Sequence, residues 1–220
     1  MNSTSKTAPA AVVPAVPRKR AQWPVPAGLI LLSLFPLLQG SLRLAELAGD
    51  GAVTPANERF FASPVPVVVH IVAVTVYCLL GAFQFVPASR TRHGWHRRAG
   101  RVLIPAGLLA ALSGLWMAAF YVLPPSDGEL LLAIRLVVGT AMAASIVLGV
   151  LAIRRRDFAA HGDWMTRAYA LGIGAGTQVV LLLPGILLFG PTPELPRAVL
   201  MGAAWLINLA VAECVIRRRR

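Results

Sequence analysis

Six apolar runs, at residues 24–44, 65–87, 102–124, 129–153, 168–190 and 198–216, constrain this 220-residue chain more than any other feature. Each has roughly 19–25 residues, enough for an α-helix rising 1.5 Å per residue to cross about 30 Å of hydrocarbon. Such runs are too long and continuous for buried strands, and a lipid-facing backbone must satisfy its own hydrogen bonds, as a helix does. The expected fold is an all-α integral membrane domain of six transmembrane helices over residues 23–216. Helices two to five are expected to form a central four-helix bundle, with helices one and six packed outside it. Residues 1–22, rich in Ala, Pro, Ser and Thr, have no means of building a core and read as a disordered tail. Residues 217–220 form a short basic tail.

Composition agrees with a lipid solvent. Charged residues make up only 14% and apolar ones 57%, against about 25% charged in soluble domains. The net charge of +12 does not point to nucleic acid, because aromatics are not interleaved with the basic residues as a stacking surface requires. The charge is instead sorted by position. With the N-terminus placed in the cytoplasm, 17 of the 21 basic residues fall on that side: in the 1–22 tail, the 88–101 and 154–167 loops, and the C-terminus. Only Arg43, Arg59, Arg135 and Arg197 remain outside, together with Glu46, Asp50, Glu58, Asp127, Glu129 and Glu194. This is the positive-inside pattern, and it predicts a bacterial inner-membrane protein with both termini cytoplasmic. The first run exceeds a signal-peptide core and lacks a small-x-small site after it, so it reads as an uncleaved anchor. Cys78 and Cys214 lie in apolar runs and read as core residues.

Inside a bilayer the informative residues are the polar ones, since burying them is costly. His70 lies about five residues inside the outer end of helix two, and Arg135 about six residues inside helix four from the same side. His70 fits a haem ligand, a proton carrier or a quinone contact, but more readily a histidine hydrogen-bonded to a neighbouring helix or reaching toward the interface. Arg135 either snorkels to the interface or faces the bundle and grips a carboxylate, a propionate or an anionic substrate. At the cytoplasmic face His93, Trp95 and His96 precede helix three, and His161, Trp164, Met165 and Arg167 lead into helix five behind Asp157, an expected N-cap. The two loops resemble each other, which suggests a weak repeat of helices 2–3 and 4–5. There the Trp and Arg residues are ordinary interfacial anchors, while His96 and His161 are also candidate haem ligands. In helix five, Gly172 and Gly176 form a G-x-x-x-G pair, and Gln178 is expected to hydrogen-bond Asn208 of helix six. Gln84 and Glu213, at inner helix ends, are expected to reach the interface. No phosphate loop, catalytic triad, paired carboxylates or zinc spacing can be assembled.

The stretches HRRAGRV, LSGLWMAAFY and AAHGDWMTRAYALGIGAGTQ resemble the bacterial membrane family called domain of unknown function 2306, over about residues 65–215. The family's helix-two histidine maps onto His70. Its H-R-x-x-G-R motif maps onto His96, Arg97, Gly100 and Arg101, and H-x-x-W-M-x-R onto His161, Trp164, Met165 and Arg167. The resemblance implies a fold and a location but no activity. A more distant likeness is to the haem bundles of cytochrome b561 and ferric-reductase type, which place paired histidines on facing helices. Only His70 lies within a span here, so at most a single haem b on His96 and His161 is implied, with Arg97, Arg101 or Arg167 neutralising propionates.

Two functions follow. The first is a non-enzymatic carrier, accessory subunit or assembly protein, in which His70, Arg135, Gln178 and Asn208 line a polar intramembrane pocket. The alternative is a single-haem redox protein. The expected partners are the lipid bilayer and other membrane subunits.

Overall fold

The computed structural model describes residues 23–49, 51–86 and 94–219. The chain forms α1 (Pro24–Ala48), a short α2 (Glu58–Ala62), α3 (Pro64–Ala82) with a 3-10 turn at Phe83–Phe85, and α4 (Trp95–Phe120). Then come α5 (Glu129–Arg154), α6 (Phe158–Gly172), α7 (Gly174–Phe189) and α8 (Glu194–Arg217). Six stretches are long and apolar enough to cross a membrane, α6 and α7 together making the fifth. No strand occurs among the described residues. The expected disordered tail and His93 lie outside the described residues.

The spans alternate in direction, which defines two ends. One carries Trp23, the starts of α4 and α6 and the end of α8; it is called the arginine-rich end below. The other carries Glu46, Glu58, Asp127, Glu129 and Glu194 and is called the acidic end. α3, α4, α5 and α6 close a ring in which α3 packs on α4, α4 on α5, α5 on α6 and α6 on α3. α1 lies outside against α3 and α7, and α8 against α5, α6 and α7. The central four-helix unit expected from the sequence is therefore present.

The packing runs opposite to that of a water-soluble bundle. Half of the buried apolar residues are alanines, among them Ala73, Ala106, Ala110, Ala168 and Ala204, while Leu31, Leu42, Val72, Val137, Leu187 and Leu206 point outward. Small residues bring helices close where lipid tails compete equally well for large ones. Glycines make room for the two central aromatics. A β-carbon on Gly81 would lie 2.4 Å from the Tyr169 ring, and one on Gly107 or Gly172 would lie 2.6 or 2.8 Å from Tyr77. Tyr77 and Tyr169 stand 5.7 Å apart between ring centres, and the Tyr169 hydroxyl donates to the Cys78 carbonyl at 2.8 Å.

Helix ends follow local chemistry. The Asp157 carboxylate accepts from the Ala160 amide at 2.9 Å, capping α6 as expected. Arg156, at φ 62°, turns the chain sharply between α5 and α6. Polar side chains inside the spans fold back on their own helix: Ser33 donates to the Leu29 carbonyl, Thr75 to Ile71 and Ser145 to Ala141, at 2.9, 2.7 and 2.7 Å.

Two expectations need correction. Helix three starts well before its apolar run, at Trp95 behind Gly94, whereas helix five starts at Phe158 behind its Asp157 cap, as the sequence predicts. The expected continuous fifth helix is broken at Ile173, between the two glycines of the G-x-x-x-G pair. Those glycines consequently serve different neighbours: Gly172 meets Tyr77 and Met142, and Gly176 meets the Leu32 backbone of α1.

Candidate functional site

The break at Ile173 interrupts the fifth apolar span. A helix end leaves carbonyls without amide partners, and within an apolar zone they need substitutes. α8 provides them. Asn208 Nδ2 donates to the Ala170 carbonyl at 3.1 Å and Trp205 Nε1 to the Leu171 carbonyl at 3.2 Å. Just past the break, Thr177 donates to Asn208 Oδ1 at 2.8 Å, so the Asn208 amide ties α6 and α7 to one point of α8. Trp205 fits because Gly174 is bare: a β-carbon there would lie 2.1 Å from the indole nitrogen. The expected Gln178–Asn208 bond is not formed. Gln178 donates instead to the Met201 carbonyl at 3.4 Å, about two turns nearer the acidic end on α8, since Thr177 already occupies Asn208. Gln178 and Asn208 are both buried on the same seam.

His70 faces the bundle. It shares its helix face with buried Val67, Ala73 and Tyr77, and its Nδ1–H donates to the Ala110 carbonyl of α4 at 2.9 Å, with the Ser113 hydroxyl at 3.1 Å. Gly114 leaves space for the ring. Arg135 starts at a similar depth but reaches outward, combining the two sequence readings: it extends to the acidic end and there grips a carboxylate. Arg135 Nη2 lies 2.7 Å from Asp127 Oδ2, and Arg197 Nε donates to Asp127 Oδ1 at 2.8 Å. The Asp127 side chain is only 3% exposed, so two spans are pinned to a single loop carboxylate.

The expected shared pocket is therefore divided. His70 bonds within the α3–α4 pair, Arg135 joins Asp127 and Arg197, and Gln178 and Asn208 bond different partners along the α7–α8 seam. A groove of about 440 Å³ on the outer seam of α3 and α4, lined by Val68, Val69, Val72, Ala73, Val102 and Leu109, is apolar.

At the arginine-rich end, His161 Nδ1–H donates to the Gly149 carbonyl of α5 at 2.8 Å. Arg167 Nε and Nη2 meet Glu213 Oε1 and Oε2 at 2.5 and 3.0 Å, and the Arg167 guanidinium lies 4.8 Å over the Trp164 ring. Glu213 thus holds a span-to-span ion pair in addition to reaching the interface. Trp95 stacks edge-on with Phe83, centres 6.4 Å apart. His96 begins α4 at this same end, and Arg101 is exposed. α4 and α6, which carry His96 and His161, pack together. No group of three or more His, Cys, Asp or Glu side chains suited to a metal stands among the described residues.

Sequence reasoning missed Asp127, Arg197 and Trp205. Asp127 had one signal, an acid in a short loop with Arg135 eight residues on. Trp205 had none, because its partner is a backbone carbonyl.

Six alternating apolar helices, small residues inside and large ones outside, and polar groups that close on one another define a multi-pass α-helical membrane protein. Residues 67–216 match the family described as "Predicted membrane protein (DUF2306)", and the chain belongs to that family. No curated protein and no solved structure is similar enough to count as a match.

Proposed function

We propose that the chain is a non-enzymatic carrier of the bacterial inner membrane, with both termini cytoplasmic and its solute site at the interrupted fifth span. The observation that carries this reading is the break at Ile173, whose freed carbonyls are met by Asn208 and Trp205. Interrupted spans serve carriers because their backbone groups are exchangeable between protein partners and a polar ligand, and because the break lets half-helices move separately. The Asn208 amide, the Thr177 hydroxyl and the Gln178 amide supply both donors and acceptors, a set suited to a small neutral or zwitterionic polar solute.

The test is aqueous access. In a Cys214→Ser background, which removes the exposed thiol and leaves buried Cys78, Asn208→Cys and Thr177→Cys are placed one at a time. Membrane-impermeant thiol reagents are then applied to intact cells and to inverted vesicles. Labelling from either face supports the carrier reading; complete protection from both faces overturns it, provided native Cys214 reacts in a parallel sample. Reporter fusions after Arg98 and Arg156 test the orientation, and both are expected in the cytoplasm.

One observation favours a haem alternative. His161 donates Nδ1–H to a backbone carbonyl, which leaves Nε2 as the lone-pair nitrogen and fixes the ring, as outer-shell bonds do for iron-ligating histidines. His96, His161 and the arginine pair of Arg101 and Arg167 would then hold the group and its propionates. A visible spectrum of the purified protein decides: a Soret band lost in His161→Ala supports haem, and a colourless preparation removes it.

A further inference from the structure

The four arginines outside the basic tails and loops, scattered at positions 43, 59, 135 and 197, come together on one surface of the acidic end. Arg43 and Arg59 flank the Phe60 ring, 4.5 and 4.6 Å from its centre. Arg59 lies within electrostatic range of Asp127, Arg43 and Arg135, and its Nη1 donates to the Val122 carbonyl at 3.3 Å. Arg135 and Arg197 share Asp127. Arg43 is matched by Glu46, which also accepts from the Asn57 amide. The Glu194 carboxyl fills the space beside Gly128 next to Asp127. Three guanidinium groups (Arg59, Arg135, Arg197) thus gather around the single carboxylate of Asp127, with the Glu194 carboxyl alongside.

We propose that this surface is an anion site for a phosphate monoester or phosphodiester, with Arg59 as the entry cation and Asp127 as the internal stand-in that keeps Arg135 and Arg197 in place when the site is empty. Guanidinium forks match phosphate oxygens in geometry and stay charged at every physiological pH. Each arginine of the pair meets Asp127 through one described nitrogen, which leaves further N–H donors on the same planar group. The surface also sits at the level of an aromatic girdle. Phe60 packs edge-on against Tyr121 at 5.5 Å, and Tyr121 against Trp116 at 5.5 Å. Rings of this kind lie at lipid headgroup depth. The phosphate has two sources, a lipid headgroup or a free phosphate in the outer aqueous phase.

The test uses the full chain in maltoside detergent, with thermal stability as readout. The probes are dioleoyl-phosphatidylglycerol, dioleoyl-phosphatidylcholine and sodium phosphate at fixed ionic strength. Stabilisation by phosphatidylglycerol above phosphatidylcholine, with apparent affinity reduced roughly tenfold in Arg59→Gln, supports a lipid headgroup. Stabilisation by sodium phosphate with the same Arg59 dependence supports a free anion. Asp127→Asn is expected to bind the effective probe more tightly than wild type, the opposite of simple damage. No stabilisation by any probe, or equal stabilisation of wild type and Arg59→Gln, overturns the site. Should Asp127→Asn not fold, Arg59→Gln, which leaves both Asp127 contacts intact, decides alone.

Discussion

Arg167 and Glu213 meet across the fifth and sixth spans through two parallel contacts, Nε to Oε1 at 2.5 Å and Nη2 to Oε2 at 3.0 Å. The fork is capped on one side by the Trp164 ring. Its side chains are 24% and 38% exposed, so solvent screens the pair. Glu213→Gln is expected to lower stability by about 1 kcal/mol, and Arg167→Lys by a similar amount, since an ammonium cannot reproduce the fork. Reversible unfolding in mixed micelles of sodium dodecyl sulfate measures both; a loss confined to Glu213→Gln contradicts the two-point geometry.

The tyrosine core predicts position-dependent glycine substitutions. Gly81→Ala and Gly107→Ala place a β-carbon within 2.4 and 2.6 Å of Tyr169 and Tyr77, and each is expected to cost about 1–3 kcal/mol through overpacking. Gly100→Ala and Gly185→Ala meet nothing within 4 Å and are expected to be neutral. Four unfolding curves that shift alike rule out the steric explanation.

Asn208→Ala removes the amide that joins α6, α7 and α8. It leaves the Ala170 carbonyl and Thr177 hydroxyl without that partner, for an expected loss of about 1–2 kcal/mol. Hydrogen exchange at residues 172–177 is expected to rise in this variant; unchanged exchange there means that the break does not depend on Asn208.

Asp127 lies outside the spans, and its titration sets an acid limit. Burial pushes its carboxyl up, but Arg135 and Arg197 more than reverse this, so it titrates below the usual carboxylate range. A depressed folded value contributes stability that is complete above the unfolded value, about 3.9, and is lost as pH falls through the folded one. Melting temperature is therefore expected to be insensitive to Asp127 between about pH 7 and pH 5, with an Asp127-dependent decline below about pH 4. Asp127→Asn and wild type with parallel profiles below that point contradict the assignment.

The spans were legible in the sequence because length and hydropathy are local quantities, and the ring of helices two to five follows from their short connections. The cap at Asp157 was legible for the same reason. The interruption at Ile173 was not, since glycines at 172, 174 and 176 also suit a continuous helix; what favours the break is Trp205 and Asn208, some thirty residues away. Arg135 was read at its correct depth, but its partner required knowing that the 121–128 loop folds back over α5 and α8. His70 was undecided between lipid and bundle because one residue does not reveal a helix's rotation. The buried neighbours Val67, Ala73 and Tyr77 do.

The turn at Arg154–Asp157 has a consequence for biogenesis. With Arg156 bent into the left-handed region and Asp157 already capping the next helix, the chain has no slack between its fourth and fifth crossings. Crossings joined this tightly are suited to enter the bilayer together as a hairpin, which brings the fourth its most extensively packed neighbour, α6, at the moment of insertion.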